Sequence, residues 1–216
     1  MDIIKVLSEE LKVQKWQVEA AVKLIDEGNT IPFISRYRKE ATGALNDEVL
    51  RNLHERLLYL RGLEERKETV LASIEEQGKL TEELKEKILA AQTMVAVEDL
   101  YRPYKPKRKT RASVAKEKGL EPLANIIYLQ MTKKSMEEEA EAFLDEEKGV
   151  STVEEAIGGA KDILAEGISD EADYRTKIRK LTETDGVVIS EAKDEEAQSV
   201  YEMYYHFSES VKKIAG

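Results

Sequence analysis

The chain has 216 residues and a formal net charge of −10, with 34 basic and 44 acidic side chains. Charged residues make up 36% of it and aromatic residues 6%, a composition that favours helices and predicts an all-α, multihelical fold. The absence of cysteine excludes disulfides and thiolate metal sites, and the overall acidity excludes a protein whose whole surface meets phosphate. Any contact with nucleic acid must therefore come from a local patch.

The beginning of the chain predicts two short helices, one with Ile3, Ile4, Leu7 and Leu11 on one face and one that ends near Gly28, a natural helix stop. Charged side chains are mixed into this stretch, so we expect neither a signal peptide nor contact with a membrane, and a cytoplasmic location. Trp16 lies at the turn between the two helices. It is interpreted as core filler, with a stacking platform for a ligand as the alternative.

A short helix is predicted next, within the segment Thr30–Gly43 (TIPFISRYRKEATG), because Pro32 is well placed at a helix start. The helix would end by Gly43 and carry Phe33 and Tyr37 on one face. Three cations converge near its end, and they either complement the helix dipole or hold a phosphate. These cations are Arg36, Arg38 and Lys39.

One long helix from Asn46 to Gln77 organises the rest, since this stretch contains neither proline nor a terminating glycine. Its apolar stripe is interrupted at Glu64 and Lys67, which predicts a strut with two buried ends and a solvent-exposed middle. A dimeric coiled coil is the alternative, and the interrupted stripe argues against it. The stripe consists of Leu50, Leu53, Leu57 and Leu60, and it resumes at Leu71 and Ile74.

The segment Tyr101–Arg111 (YRPYKPKRKTR), which we call the basic arm, is the most unusual stretch of the chain. Its two prolines predict an extended backbone at Arg102 and Lys105, and Thr110 predicts the cap of a helix that stops at Gly119. The arm contains no acid among its cations. The candidate nucleic-acid-binding residues are Tyr101, Arg102, Tyr104, Lys105, Lys107, Arg108, Lys109 and Arg111.

Three interpretations of the basic arm stay open. It is a solvated connector, a nuclear-targeting or nonspecific patch, or an arm that binds phosphates while Tyr101 and Tyr104 stack on bases. The acid run from Glu137 to Glu147 could neutralise it internally, in which case the arm is structural.

The remaining segments predict further short helices and little strand. Gly158 and Gly159 lie inside a predicted helix and indicate close packing against a neighbour. Val187–Ile189 is the one clear strand-like run. The aromatic tail up to Phe207 indicates either core packing or the edge of something larger.

The sequence lacks the parts of known catalytic sites, so we expect a protein that is not an enzyme and uses no cofactor or metal. The two histidines, His54 and His206, show no metal-ligand spacing, and no nucleophile elbow or glycine-rich phosphate loop is present.

The two unusual segments together resemble the N-terminal region of the Tex family of bacterial transcription accessory proteins. The resemblance rests on Thr30–Gly43, on EEQGKLTEEL from Glu75, on EDLYRPYKPKRKTRA from Glu98, on GLEPL from Gly119 and on AKDILAE from Ala160. It implies a multihelical fold with a helix-turn-helix-like portion, a role in transcription, and RNA or DNA binding by the intact protein. It also implies a truncated fragment, because Tex-like proteins continue into a ribonuclease-H-like domain, helix-hairpin-helix motifs and an OB-fold RNA-binding domain.

These observations predict two or three small helical subdomains around the long helix. Residues 1–93 form one that contains the helix 46–77, residues 94–149 hold the basic arm and short helices, and residues 150–216 lead to domains absent from this chain. The predicted function is a helical module of a transcription accessory factor that contacts RNA or DNA, weakly in this fragment, through the basic arm. The alternative is a non-enzymatic scaffold that positions the absent domains or docks on RNA polymerase or other transcription machinery.

Overall fold

The computed structural model describes residues 1–106 and 108–214 of the chain. In these residues the secondary structure is eleven α-helices, three short 3₁₀ helices and a two-stranded sheet, which confirms the expected all-α class. The chain divides into two compact units, Met1–Glu98 and Asp99–Gly216. The division at residues 93 and 149 stays a prediction, although the core of the second unit draws on residues from both sides of position 149.

The first unit begins its helices at polar residues that supply side-chain caps. Asp2, Asn46 and Thr81 each accept a hydrogen bond from the backbone N–H three residues further on, which satisfies a donor that the helix itself cannot. The helices of this unit are α1 (Ile3–Leu11), α2 (Lys15–Asp26), α3 (Ile31–Tyr37), α4 (Asp47–Glu76) and α5 (Glu82–Ala90), and the boundary between the two units falls within α6 (Met94–Tyr101).

The long helix is confirmed as α4, which spans 30 residues between the caps Asn46 and Gln77. The prediction of a solvent-exposed middle is wrong. Leu63 is fully buried and Lys67 is 2% exposed, because the Nζ of Lys67 donates a hydrogen bond to the backbone carbonyl of Leu89 and lies 2.9 Å from Glu64 Oε1. The buried stripe therefore runs without a gap to Val70 and Ile74.

The second unit contains the remaining elements, all short except two helices. A 3₁₀ helix (Arg102–Tyr104) follows α6, and another (Glu141–Phe143) follows α9. The α-helices and strands of this unit are α7 (Arg111–Glu117), α8 (Glu121–Leu129), α9 (Met136–Ala140), α10 (Val153–Asp170), α11 (Ala172–Asp185), β1 (Val187–Glu191) and β2 (His206–Ser210).

The core of the second unit forms where α10 packs against α7, α8 and α9. Gly159 of α10 permits this approach, because a Cβ there would lie 2.4 Å from Leu120 Cδ1 and 3.2 Å from Ala115 Cβ. The predicted close packing at the glycine pair is thus confirmed for Gly159, while Gly158 has nothing within 4 Å of the corresponding position.

The last segment of the second unit is largely exposed. Helix α11 buries none of its residues and presents Tyr174, Ile178 and Leu181 to solvent. The predicted strand is β1, which pairs antiparallel with β2. The aromatic tail does not pack into the core, because Tyr201 and Tyr204 are exposed and His206 onward pairs with β1.

Ionic contacts attach α11 to the rest of its unit. Arg175 Nε donates to Asp99 Oδ1 at 2.8 Å and Arg179 Nη2 donates to Asp99 Oδ2 at 2.7 Å, while the Asp99 side chain is 7% exposed. No helix in the described residues is both long enough and apolar enough to cross a bilayer.

Candidate nucleic-acid interface

The basic arm starts as a continuation of helix α6. The Lys105 N–H donates to the Arg102 carbonyl three residues back and also to the Tyr101 carbonyl, so Arg102 lies in a 3₁₀ turn and the prediction of an extended backbone there is wrong. Pro103 fits because the first turn of a helix requires no N–H from it. Lys105 is extended as predicted, with φ −64° and ψ 127°.

Two candidate residues at the start of the arm, Tyr101 and Arg102, are held by contacts within the protein. Tyr101 is 7% exposed, which corrects the prediction that its ring can stack on a base. Arg102 Nε donates to Asp170 Oδ1 at 2.9 Å, and the Asp170 side chain is 11% exposed. Arg102 thereby connects the 3₁₀ helix to the end of α10. Tyr104 and Lys105 also interact within the protein.

The later cations of the arm are exposed and loosely paired. Arg108 is exposed. Lys109 Nζ lies 3.6 Å from Glu117, with about two thirds of each side chain exposed. Arg111 Nε lies 3.6 Å from Asp162, and its side chain is 88% exposed. Lys107, another predicted site residue, lies outside the described residues.

The predicted cap at the end of the arm is confirmed. The Thr110 hydroxyl accepts from the Ser113 N–H, and the Ser113 hydroxyl accepts from the Thr110 N–H, so α7 begins with a reciprocal capping box. The cap fixes Arg111 at the first position of α7, from which its side chain projects into solvent.

Three cations of the basic arm have carboxylate partners that lie outside the predicted acid run. Arg102, Lys109 and Arg111 pair with Asp170, Glu117 and Asp162, all outside the segment from Glu137 to Glu147. Within the run, Asp145 pairs with Lys148. At exposed sites such pairs contribute about 0–1 kcal/mol and exchange readily with a phosphate.

A second cationic surface lies in the first unit at the end of α3, and we call Arg36, Tyr37, Arg38 and Lys39 the Tyr37 surface. All four side chains are exposed, and in the described part of the chain no carboxylate forms an ion pair with its three cations. The four residues line a depression of about 490 Å³ together with Glu40 and Ala41.

Phe33 contacts two side chains of this surface, Tyr37 and Arg38. The Phe33 and Tyr37 ring centroids are 5.3 Å apart, and the Arg38 guanidinium carbon lies 5.1 Å from the Phe33 centroid. The predicted shared face of Phe33 and Tyr37 is confirmed. Phe33 therefore holds an aromatic ring and a cation side by side, and both remain open to solvent.

Trp16 packs against the loop that follows the Tyr37 surface. It is 52% exposed, so its interpretation as core filler is wrong. Gly43 has φ +63°, and a Cβ there would lie 2.5 Å from the Trp16 ring. Gln17 Nε2 donates to the Thr42 and Gly43 carbonyls, and these contacts fasten the loop to α2.

Sequence reasoning named the cations of the Tyr37 surface but not Tyr37 itself as a site residue. The signal was present in the four-residue spacing of Phe33 and Tyr37, which places their rings on one helix face. What the spacing does not reveal is that the face looks outward, because that depends on which side of α3 packs on α4.

The second unit also contains a partly apolar groove of about 890 Å³. Its walls include three exposed apolar side chains of α8 and α11, namely Tyr128, Tyr174 and Ile178. Among the described residues, no group of three acidic or histidine side chains could hold a metal ion.

Comparison with known proteins identifies the family. Residues 1–75 match the Tex-like protein N-terminal domain, and residues 132–216 match the Tex central region-like family. The chain is 46% identical to YdcI of Bacillus subtilis (strain 168) over 211 residues, which are 96% of this chain and 29% of that protein.

Two further relatives have names that describe a role. The chain is 48% identical to the transcriptional accessory protein Tex of Neisseria gonorrhoeae over 179 residues, 83% of this chain and 23% of that protein. It is 30% identical to the human S1 RNA-binding domain-containing protein 1 over 222 residues, 99% of this chain and 22% of that protein. The chain thus spans less than a third of these relatives, and it belongs to the Tex family, whose N-terminal region it represents.

Proposed function

We propose that this chain is a non-catalytic helical module of a transcription accessory factor, and that it contacts RNA or DNA phosphates through the basic arm. The observation that carries the proposal is the exposure of Arg108, Lys109 and Arg111 in a chain of net charge −10. The two ion pairs described for these cations are long and solvent-exposed, so a phosphate can replace the carboxylate at low cost. The names of the Tex and S1 relatives agree with a ligand of this class.

The salt dependence of binding tests this proposal. The 216-residue chain is titrated with labelled single- and double-stranded oligonucleotides at several salt concentrations, beside the variant Arg108→Gln/Lys109→Gln/Arg111→Gln. Each phosphate contact contributes about 0.7 to 0.9 to the slope of log affinity against log salt. We expect the variant to bind more weakly and to lose about 2 to 3 from that slope.

A matched control removes the same charge elsewhere in the second unit. Lys177→Gln/Lys180→Gln/Lys193→Gln changes three exposed lysines outside the basic arm and should leave the slope nearly unchanged. Absence of binding by the unaltered chain, or an equal loss in both variants, would contradict a role for the arm.

The exposed apolar side of α11 favours a second candidate function, a protein-interaction scaffold. Tyr174, Ile178 and Leu181 recur at helical spacing and are 51%, 63% and 59% exposed, which is unusual for a helix that packs only on its own unit. Here the partner is RNA polymerase or other transcription machinery. Purified RNA polymerase should then bind the chain, and Ile178→Glu should weaken that complex while the arm variant does not.

A further inference from the structure

The Tyr37 surface combines an exposed aromatic ring with unneutralised charge. Tyr37 is 66% exposed, and it is flanked along the chain by Arg36, Arg38 and Lys39. The Phe33 contacts hold Tyr37 and Arg38 in place without covering them. A ligand would therefore meet a surface that is already ordered, which lowers the conformational cost of binding.

The helix dipole alone does not explain this arrangement. Cations near a helix C-terminus gain about 0.3–1 kcal/mol at exposed sites, and α3 has only seven residues. That effect would account for Arg36 in the last turn, but it gives no reason for an aromatic ring to remain in solvent beside the cations. A ligand with both a flat apolar face and a negative charge accounts for both.

We propose that the Tyr37 surface binds single-stranded nucleic acid, with a base stacked on Tyr37 and its phosphates held by Arg36, Arg38 and Lys39. This inference rests on the proposed function only in the class of ligand, because the surface belongs to the other unit and shares no residue with the basic arm. It adds a base-contacting site, whereas the arm contacts phosphates.

Single strands fit this surface better than duplexes or acidic peptides do. A duplex keeps the faces of its bases stacked inside, so it offers Tyr37 nothing to stack on. An acidic peptide satisfies the cations but leaves the ring in water. Stacking on exposed aromatic side chains combined with cationic contacts to phosphates is the general mode of single-strand recognition.

The test pairs a change in the protein with a change in the ligand. An oligothymidine and a fully abasic strand of equal length carry the same phosphates but differ in bases. Trp16 is the only tryptophan of the chain and contacts Gly43 in the adjoining loop, so its fluorescence reports occupancy next to this surface. Anisotropy of the labelled strands measures affinity.

We expect the unaltered chain to bind the abasic strand about 5- to 150-fold more weakly than oligothymidine, the range that corresponds to one stacked base. Tyr37→Leu should lose most of that difference and bind both strands alike, whereas Tyr37→Phe should keep it. The control Tyr128→Leu alters an equally exposed tyrosine at the end of another short helix and should behave as the unaltered chain. Circular dichroism verifies that the variants fold.

The two proposals fail in different ways. If Tyr37→Leu retains the full difference between the strands, or a duplex or polyglutamate matches oligothymidine in changing Trp16 fluorescence, the stacking site is overturned while the arm is untouched. If the arm variant keeps the affinity and salt dependence of the unaltered chain, while Tyr37→Leu loses the difference between the two strands, the proposed function of the arm fails and the Tyr37 surface stands.

Discussion

Lys67 lies on the buried stripe of α4, where the sequence pattern alone predicts exposure. Its Nζ reaches the Leu89 carbonyl at 2.8 Å, close to the C-terminal end of α5, where carbonyls lack helical partners and a cation is favoured. Glu64, one turn away, balances the charge. A lysine in a leucine stripe is ambiguous in sequence, because its burial depends on an acceptor supplied by a distant segment.

Because Lys67 is buried and hydrogen-bonded, we expect its substitution to lower the stability of the fold. Lys67→Met keeps the apolar part of the side chain but removes its ammonium group, so the Leu89 carbonyl loses its donor and Glu64 retains only the N-terminal amine of Met1. We expect the free energy of unfolding to fall by about 2–4 kcal/mol in urea titrations, since breaking a buried pair exceeds the gain from a methionine. Lys85→Met, at an exposed lysine of α5, should cost less than about 0.5 kcal/mol. Equal stability of the two variants would contradict this account.

Helix α11 has an amphipathic sequence, but ion pairs of Arg175 and Arg179 with Asp99 attach it to the rest of its unit. Burial opposes the ionisation of Asp99, but hydrogen bonds from Arg175 and Arg179 outweigh it and hold the pKa of the Asp99 carboxyl below its ordinary value of 3.8. The folded state therefore binds this proton less readily than the unfolded chain. The pair stabilises the fold fully above the ordinary pKa, and that contribution disappears as the pH falls through the lowered pKa.

The variant Asp99→Asn tests this attachment. We expect a loss of about 1–3 kcal/mol in the free energy of unfolding at pH 7, because two guanidinium groups lose a charged acceptor. The difference from the unaltered chain should shrink as the pH falls below the ordinary pKa of 3.8, because Asp99 is then protonated first in the unfolded chain and, at lower pH, in the folded one. Hydrogen exchange of the α11 amides should rise in the variant. Glu183→Gln, at an exposed acid of the same helix, serves as control, and a pH-independent difference would refute the prediction.

At the scale of the whole molecule, regular helical patterns were predictable and pairings between distant charges were not. The bounds of α4 follow from Asn46, Gln77 and the leucine spacing, which act within the segment itself. The partners of Arg102 and Asp99 lie 68 and 76 residues away along the chain, respectively, so no local pattern indicates them. β2 was missed for the same reason, because His206–Ser210 becomes a strand only beside β1.

The net charge of the molecule and the local charge at two of its surfaces have opposite signs. Acidic side chains prevail overall, yet one cluster of exposed cations lies at the basic arm in the second unit and another at the Tyr37 surface in the first. Net charge therefore describes solubility and long-range repulsion, while contact with a polyanion depends on these two surfaces. A composition-based exclusion of nucleic-acid binding would overlook both.

Helix α10 restricts the conformational freedom of the basic arm. Asp170 at its end holds Arg102, and near its middle the approach at Gly159 fixes α7, which begins at Arg111. The two ends of the basic arm, Arg102 and Arg111, are thus both anchored on α10. Folding has already restricted the distance between those ends, so a bound polyanion need not supply that restriction, and more of its contact energy appears as affinity.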